Sequence, residues 1–333
     1  DIIWSRLLLS QRIIHKMNNY SRLQKHLHQF ALASKFMREA SFDIENIFFS
    51  SGKQNDNHVF ICGLARSGTT ILLNALYESN QFSSLLYKDM PFVLAPNLWS
   101  KFSHNSKNPK TEERAHEDGI NISINSPEAF EEVFWMTFNA NQNSSYSKFK
   151  LYVELINNKY NKNRYLSKNN QNINRIELLS KIFPASKILI PYRDPLQHAY
   201  SLLVQHKKFI NAATKDNFIT NYMKWIGHTE FGPNYKPISN KNIKFSNDFE
   251  INHWIEQWIL TYKNCLKSNH SNNVRYISYE ELCRSNLYWK DILDYLDIKD
   301  KYNFTFTNSF RELNLDYDVE LLNKAVTLYN KLS

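Results

Sequence analysis

The sequence predicts a three-layer α/β protein, in which a central parallel sheet lies between two layers of helices. Short apolar runs of strand length alternate with helical segments along the chain, as in a parallel sheet that is covered on both faces. The first such run leads into a glycine loop with phosphate-loop spacing and then into a helix. We therefore predict a P-loop-type domain over residues 51–333, preceded by a helical extension over residues 1–50.

The N-terminal extension carries apolar residues at helical spacing and an excess of basic over acidic side chains. Two interpretations stay open, a helical subdomain packed on the core with a solvated basic face, and a basic helix in peripheral contact with a membrane. The apolar stretch Leu7–Leu9 is short for a secretory signal, and no apolar run reaches the ~18 residues of a membrane-spanning helix.

Charge and cysteine content narrow the class of protein. The 41 basic and 32 acidic residues give a net charge of +9, which predicts attraction to an anionic partner. No RNA- or DNA-binding module signature is present, so we expect no nucleic acid partner. The three cysteines, Cys62, Cys265 and Cys283, are too widely spaced for a disulfide framework or a cysteine-based zinc site. A reducing compartment fits best, so we predict a cytoplasmic protein.

The secondary structure elements follow from apolar runs and from helix start signals. After the first strand, a helix begins near Gly68 and continues through Leu76. Asp194 and Pro195 form an N-cap and a first helical position, so residues 196–207 are predicted to be helical. The polar stretch 101–149 is predicted to be a surface insertion. We predict strands over 58–62, 84–87, 164–168, 187–192 and 274–278.

The glycine loop is the most specific motif in the chain. Only six glycines occur, and two of them, Gly63 and Gly68, have the spacing of a phosphate-binding loop. Thr69 stands where nucleotide hydrolases and kinases have a lysine, which argues against a P-loop kinase or NTPase, and Arg66 supplies a cation within the loop. Loop amides and a helix N-terminus can still hold an anion. A 5′-phosphosulfate, whose transferred group carries one negative charge, fits such a loop without a metal ion.

Three segments of the sequence resemble one family. The loop GLARSGTTILLNAL resembles the 5′-phosphosulfate loop of sulfotransferases that use 3′-phosphoadenosine-5′-phosphosulfate (PAPS), in the form found in tyrosylprotein sulfotransferases and bacterial relatives. The block FPASKILIPYRDPLQHAYSLL resembles the family's 3′-phosphate motif, and YISYEEL is similar to the segment that supplies an adenine-facing tyrosine. The resemblance spans residues 58–290.

The resemblance implies a function and a set of site residues. The protein would transfer the sulfuryl group of PAPS to a hydroxyl acceptor and release adenosine 3′,5′-bisphosphate, with no metal required. Lys168 would lie at the end of a strand that borders the sulfonate. The implied donor-binding residues are Arg66, Ser67, Gly68, Thr69 and Thr70 for the 5′ end, Arg193 and Ser201 for the 3′-phosphate, and Tyr279 for the adenine.

The sequence offers more than one candidate for the catalytic base. Cytosolic sulfotransferases have a catalytic histidine two residues after the lysine, whereas this chain has Asn170 there. Asp89, after the predicted second strand, is the leading candidate, either as a base or as a helix cap. His116 and Glu132 are the further candidates.

The acceptor is not fixed by any motif. The basic surface and the resemblance to bacterial members favour a saccharide or glycolipid hydroxyl. A protein tyrosine is the alternative within the same family.

Overall fold

The computed structural model describes residues 21–53, 55–103, 112–113, 121–140, 142, 144–214, 217–239, 243–267, 273–300, 302–307 and 310–332. A five-stranded parallel sheet lies between helices, so the predicted three-layer α/β fold is confirmed. The strands of this sheet are β1 (Val59–Ile61), β2 (Phe82–Ser83), β5 (Arg164–Lys168), β6 (Lys187–Tyr192) and β7 (Val274–Ser278). They lie in the order β2-β5-β1-β6-β7. Strands β3 (Glu112–Glu113) and β4 (Asn121–Ile122) form a separate antiparallel pair.

The described helices account for the remaining regular structure. Short 3₁₀ turns cover Tyr87–Asp89, Asn170–Asn174 and Gly232–Asn234. The α-helices are α1 (Arg22–Ala33), α2 (Lys35–Phe49), α3 (Thr69–Tyr77), α4 (Pro96–Phe102), α5 (Glu132–Phe138), α6 (Ser144–Tyr160), α7 (Ile176–Ile182), α8 (Pro195–Ala213), α9 (Asn217–Trp225), α10 (Ile251–Lys267), α11 (Tyr279–Arg284), α12 (Asn286–Tyr295) and α13 (Val319–Tyr329).

Strand β1 is central and fully buried. Its side chains alternate between the two faces of the sheet, as strand geometry requires. Phe60 joins the core cluster that contains Phe149 and Phe183, whereas Val59 and Ile61 join the cluster on the opposite face. Burial on both faces explains why this strand has no polar side chain.

The register of the sheet places the ends of three strands together. Ile61 at the end of β1 pairs with Lys168 at the end of β5 and with Leu189 of β6. Because all three strands are parallel, the segments that follow them leave the same edge of the sheet. Strands β1 and β6 are thus direct neighbours in the sheet.

The predicted second strand over 84–87 is wrong in position. Strand β2 ends at Ser83, and Tyr87–Asp89 forms a 3₁₀ turn. Leu85 and Leu86 are buried, which explains their strand-like pattern, but the backbone here bonds to residues 124–128 instead of the sheet. Leu86 forms an isolated antiparallel bridge with Pro127.

The prediction of a surface insertion over 101–149 is wrong for its second half. Phe130, Phe134 and Trp135 are buried, as is Phe149 at the start of α6. The many Asn, Ser and Lys residues of this stretch hid these aromatic positions in the sequence. Residues 104–111 and 114–120 lie outside the described residues.

Helix α2 packs on this aromatic cluster, whereas α1 packs on α9, where the His28 ring lies 5.9 Å from the ring of Tyr222. The ring of Phe42 on α2 lies 5.0 Å from Phe138 and 6.1 Å from Phe134, centroid to centroid. Their outer faces expose large apolar side chains, including Phe36 and Phe48. Residues 1–20 of the predicted extension lie outside the described residues. In the described part of the chain, none of the helices has the length and hydropathy needed to cross a bilayer.

Candidate active site

The phosphate loop connects β1 to α3. Ser67 is fully buried, and its hydroxyl donates to the carbonyl oxygen of Leu64 at 2.8 Å, which fixes the turn of the loop. Arg66 has a φ of 71°, in the left-handed region, and its side chain is partly exposed. Thr69 and Thr70 begin the helix and are buried. The loop thus has the strand–turn–helix geometry of an anion cradle.

Gly68 is required at the N-cap of α3 for two reasons. Its φ of 97° is left-handed, and a Cβ at this position would lie 2.5 Å from Cδ2 of Tyr279. Because glycine has no side chain to cap the helix, the first-turn amides are not covered from this position. Tyr279, the predicted adenine-facing residue, therefore lies directly against the phosphate loop.

The second predicted motif forms the junction of β6 and α8. The Asp194 carboxylate caps α8 by accepting from the backbone N–H of Gln197 at 2.9 Å, and Pro195 is the first helical residue, as predicted. Arg193 leaves the strand end, is 8% exposed, and has its Cζ 5.5 Å from the centroid of the Tyr279 ring. The phosphate loop and this block therefore contact the same tyrosine.

A direct hydrogen bond joins the two motifs. The Nε of Arg66 donates to Oγ of Ser201, on the second turn of α8, at 3.2 Å. Two residues that are 135 positions apart in the sequence are thus neighbours. The sequence analysis assigned Arg66 to the 5′ end of the donor and Ser201 to its 3′-phosphate. The structure brings these two side chains together.

Lys168 lies at the same edge of the sheet, beside a carboxylate that the sequence analysis did not single out. Its Nζ lies 3.9 Å from Oε1 of Glu128, and both side chains are buried. The other carboxylate oxygen of Glu128 accepts from the Tyr87 hydroxyl at 2.7 Å. The backbone N–H of Glu128 donates to the Leu85 carbonyl oxygen at 3.0 Å, and this bond holds the loop in place.

The comparison with protein families agrees with this geometry. A model described as "Sulfotransferase family" matches residues 58–231, from β1 to the turn after α9. The chain belongs to the sulfotransferase family. The matched region contains the phosphate loop, Lys168, Arg193 and Ser201, whereas Tyr279 lies beyond it. No curated protein matches this sulfotransferase in sequence.

Solved structures similar to this sulfotransferase are bacterial sulfotransferases. One from Mycobacterium tuberculosis has 12% identity and a TM-score of 0.48, with 92% of this chain and 80% of that chain covered. One from Mycobacterium avium has 14% identity and a TM-score of 0.43, with 91% and 75% covered. One from Alicyclobacillus acidocaldarius has 14% identity and a TM-score of 0.39, with 83% and 92% covered.

Asp89, the predicted base, has the surroundings of a structural carboxylate. It is fully buried, forms an ion pair with Lys159, and accepts hydrogen bonds from the Tyr160 hydroxyl and the Leu86 N–H. These donors occupy both of its oxygens. Its side chain therefore ties the 3₁₀ turn to α6. It does not act as the cap of a helix after Pro91.

Of the other two candidate bases, the structure describes Glu132 but not His116. Glu132 accepts from two guanidinium nitrogens of Arg175, at 2.6 and 2.7 Å, and from the amide of Asn169 at 2.9 Å. This pairing holds α5 against the strand end. His116 lies outside the described residues.

A C-terminal segment adds a cation that sequence analysis missed. Gln197 on α8 exchanges two hydrogen bonds with the backbone of Arg311, at 2.8 and 3.1 Å. The Arg311 guanidinium lies 5.9 Å from the ring centroid of Tyr200, the residue before Ser201. No motif marks Arg311 in the sequence, because a side-chain-to-backbone contact with a distant helix has no sequence signature.

An open cavity of about 390 Å³ lies beside Arg193. Its walls come from the start of α8, from α11, and from the C-terminal segment and helix. The lining residues are Arg193, Asp194, Gln197, Glu280, Cys283, Arg284, Phe310 and Tyr329. Within the described residues, no group of three or more His, Cys, Asp or Glu side chains could hold a metal ion.

His198 links the same two motifs from inside the protein. It is fully buried on α8, and its Nε2 donates to the carbonyl oxygen of Ala65 in the phosphate loop at 2.8 Å. Burial, together with the nearby guanidinium groups of Arg193 and Arg66, lowers the pKa of His198 to about 3, although the hydrogen bond to Ala65 acts in the opposite direction. The imidazole is therefore neutral and holds the loop as a donor.

We expect His198→Gln to make folding less sensitive to acid, since glutamine can also donate but does not titrate. The folded pKa of His198 is depressed, so its contribution to stability is lost as pH falls below the unfolded value near 6.5. Between pH 7.5 and pH 5, the free energy of unfolding should fall by about 2 kcal/mol less in the variant. Urea titrations at both pH values measure the difference.

The buried His58, whose pKa is lowered to about 4, is present in both proteins, so its own acid sensitivity cancels in this comparison. Equal pH dependence of the wild type and the variant would show that His198 takes up its proton without unfolding the protein.

Proposed function

We propose that this sulfotransferase transfers the sulfuryl group of PAPS to a hydroxyl acceptor and releases adenosine 3′,5′-bisphosphate. The observation that carries the proposal is the hydrogen bond between Arg66 and Ser201, because it joins a 5′-anion loop to the helix that follows Arg193. A ligand with phosphate groups at both its 5′ and 3′ positions needs both motifs at once. PAPS supplies an activated sulfonate on a 5′-phosphate.

The phosphate loop would hold the 5′ end of the donor. Thr69 in place of lysine suits a group of one negative charge, since loop amides and the Arg66 guanidinium then suffice to balance it. Arg66 would also stabilise negative charge on the bridging oxygen as the bond to sulfur breaks. We expect no divalent cation to be needed.

Arg193, Ser201 and Arg311 would hold the 3′-phosphate. A guanidinium fork and a hydroxyl suit a doubly charged phosphate. Arg311 lies beside this helix through its bonds with Gln197, so it can add a further positive charge. The open cavity beside Arg193 has room for part of a nucleoside. Tyr279, which lies against Gly68 of the phosphate loop, would contact the adenine.

Glu128 would accept the proton of the acceptor hydroxyl. It is a buried carboxylate beside Lys168, at the strand end that adjoins the phosphate loop. The lysine can both keep the carboxylate ionised before the reaction and attract the sulfonate. Asp89 stays a prediction from the sequence, but we favour Glu128 because it lies beside Lys168 at the strand end, whereas Asp89 is paired with Lys159 and bonded to Tyr160 on α6.

The acceptor and the location of the protein belong to the proposal as well. We favour a saccharide or glycolipid hydroxyl over a protein tyrosine, and we expect no nucleic acid partner. Apolar side chains, such as Phe36 and Phe48 of α2, are exposed on α1 and α2. They support peripheral contact of the helical extension with a membrane. A cytoplasmic location follows from the sparse cysteines, which the structure leaves unpaired.

The first prediction of the proposal concerns Arg193. Arg193→Ala should weaken binding of adenosine 3′,5′-bisphosphate roughly ten- to a hundredfold, because a charge-assisted hydrogen bond of this kind contributes about 1.5–3 kcal/mol. Binding of AMP, which has no 3′-phosphate, should change less than about threefold. Isothermal titration calorimetry with both nucleotides measures the difference.

The exposed Arg22 on α1 offers a matched control, since Arg22→Ala removes the same charge at a residue that does not line the cavity. Equal losses for the two nucleotides would mean that Arg193 supports the fold and does not read the 3′-phosphate. A wild-type protein that transfers phosphate from ATP and magnesium, but nothing from PAPS, would contradict the proposed function itself.

The second prediction concerns the base. Glu128→Gln keeps the shape of the side chain but cannot take a proton, so turnover should fall by about 10²–10⁴-fold. Affinity for adenosine 3′,5′-bisphosphate should not change, since no donor-binding residue is altered. Initial rates with radiolabelled PAPS measure turnover.

Asp89→Asn is the informative contrast. It leaves Lys159 buried without its partner, which should cost about 3–5 kcal/mol of folding free energy, seen as a lower melting temperature. The folded fraction should keep its turnover. A large loss of turnover in Asp89→Asn, with near-normal turnover in Glu128→Gln, would reverse the assignment.

A further inference from the structure

We infer that Asn170 and Glu230 form a recognition pair for the acceptor, one that selects a polyhydroxyl molecule without anionic groups near the reacting hydroxyl. The inference rests on the proposed sulfuryl transfer and names the chemical class of its acceptor. Both residues present hydrogen-bond acceptor atoms, so they suit a ligand that offers O–H or N–H groups.

The pair lies at the edge of the sheet where the reaction is proposed. Asn170 begins the 3₁₀ turn two residues after Lys168. The preceding residue, Asn169, donates its backbone N–H to the carbonyl oxygen of Ile61 at 3.1 Å. Ile61 is the last residue of β1, directly before the phosphate loop. Asn170 therefore follows the strand that borders this loop.

The orientation of the Asn170 amide follows from its partner. Its Nδ2 donates to Oε1 of Glu230 at 3.1 Å. Because a carboxylate only accepts hydrogen bonds, the amide nitrogen must face Glu230, and Oδ1 must point away from it. That oxygen is buried and has no hydrogen-bond partner among the residues that the structure describes. A buried acceptor without a partner costs free energy, which a ligand donor at this position would recover.

Glu230 adds a second acceptor to the pair. It is 9% exposed, and the amide of Asn170 occupies only one of its two carboxylate oxygens. Within the described chain, no salt bridge joins this carboxylate to a Lys, Arg or His side chain. A nearly buried carboxylate without a cation costs free energy that a ligand O–H or N–H would recover.

The turn that carries Glu230 is fixed in place. Gly227 has a φ of 75°, and a Cβ there would lie 2.5 Å from Cγ of Glu132, so only glycine allows this approach to α5. Thr229 accepts from the side-chain amide of Gln171 at 3.4 Å. The turn is thus attached to both α5 and the 3₁₀ turn of Asn170, which is the preorganisation that recognition requires.

Charge excludes one class of acceptor. The pair adds the carboxylate of Glu230 to that of Glu128 on the proposed acceptor side, where Lys168 supplies a cation. A carboxylate or sulfate on the acceptor, near the reacting hydroxyl, would be repelled. The hydroxyl groups of a neutral saccharide can donate to the hydrogen-bond acceptor atoms of Asn170 and Glu230 without bringing a negative charge. Acidic saccharides and acidic tyrosine peptides do bring a negative charge.

The experiment compares two matched acceptors, a methyl hexoside and the methyl hexuronide that differs from it by one carboxylate. With radiolabelled PAPS, the wild type should have a kcat/KM at least tenfold higher for the hexoside. Glu230→Gln should lower kcat/KM for the hexoside by roughly ten- to a hundredfold, mainly through KM, and bring the ratio of the two acceptors towards one. Asn170→Ala should lower kcat/KM for the hexoside similarly.

Binding of adenosine 3′,5′-bisphosphate, which needs no acceptor, should be unchanged in both variants, and neither variant should have a lower melting temperature than the wild type. Glu320→Gln, an exposed position on α13, is the matched control and should behave as the wild type. These readouts separate a change in acceptor recognition from a failure to fold.

Each other outcome counts against the inference. A wild type that prefers the hexuronide, or that sulfates a tyrosine peptide but neither saccharide, overturns the acceptor class and leaves sulfuryl transfer intact. A Glu230→Gln protein with unchanged selectivity shows that the pair is structural. A wild type that neither binds adenosine 3′,5′-bisphosphate nor uses PAPS overturns the proposed function together with the inference.

Discussion

The parallel pairing of β1 with β5 on one side and β6 on the other determines where the phosphate loop, Lys168 and Arg193 lie. Ile61 is level with Lys168 and with Leu189, so the phosphate loop, the lysine and the segment that leads to Arg193 leave the sheet at one edge. A shift of one residue in β5 would turn the Lys168 side chain to the other face of the sheet. The burial of β1 on both faces opposes such a shift, because each register position has a fixed partner in the core.

Local signals account for the parts of the fold that the sequence predicts well. The apolar run of β1, the spacing of Gly63 and Gly68, and the Asp194–Pro195 helix start are all contained within a few residues. Each has a direct physical cause, such as a left-handed φ at Gly68 or the N-cap bond of Asp194. For this reason the phosphate loop and the start of α8 could be predicted from the sequence alone.

Non-local contacts account for what the sequence could not show. Asp89 and Glu128 are both acidic residues near a proline, and nothing local separates them. What separates them is a partner, since Lys159 on α6 pairs with Asp89, and Lys168 at the end of β5 lies beside Glu128. The positions of Arg311 and Glu230 likewise depend on contacts with distant segments. A single sequence does not contain this information in any pattern of spacing.

The distribution of charge explains more about the proposed reaction than the net charge does. A net charge of +9 predicts only an anionic partner. In the fold, the guanidinium groups of Arg66 and Arg193 lie on the proposed donor side, whereas the carboxylates of Glu128 and Glu230 lie on the proposed acceptor side. Sulfuryl transfer leaves negative charge on the donor and removes a proton from the acceptor. Cations at one end and carboxylates at the other favour both changes, so this separation of charge suits the reaction in a way that an evenly basic cleft would not.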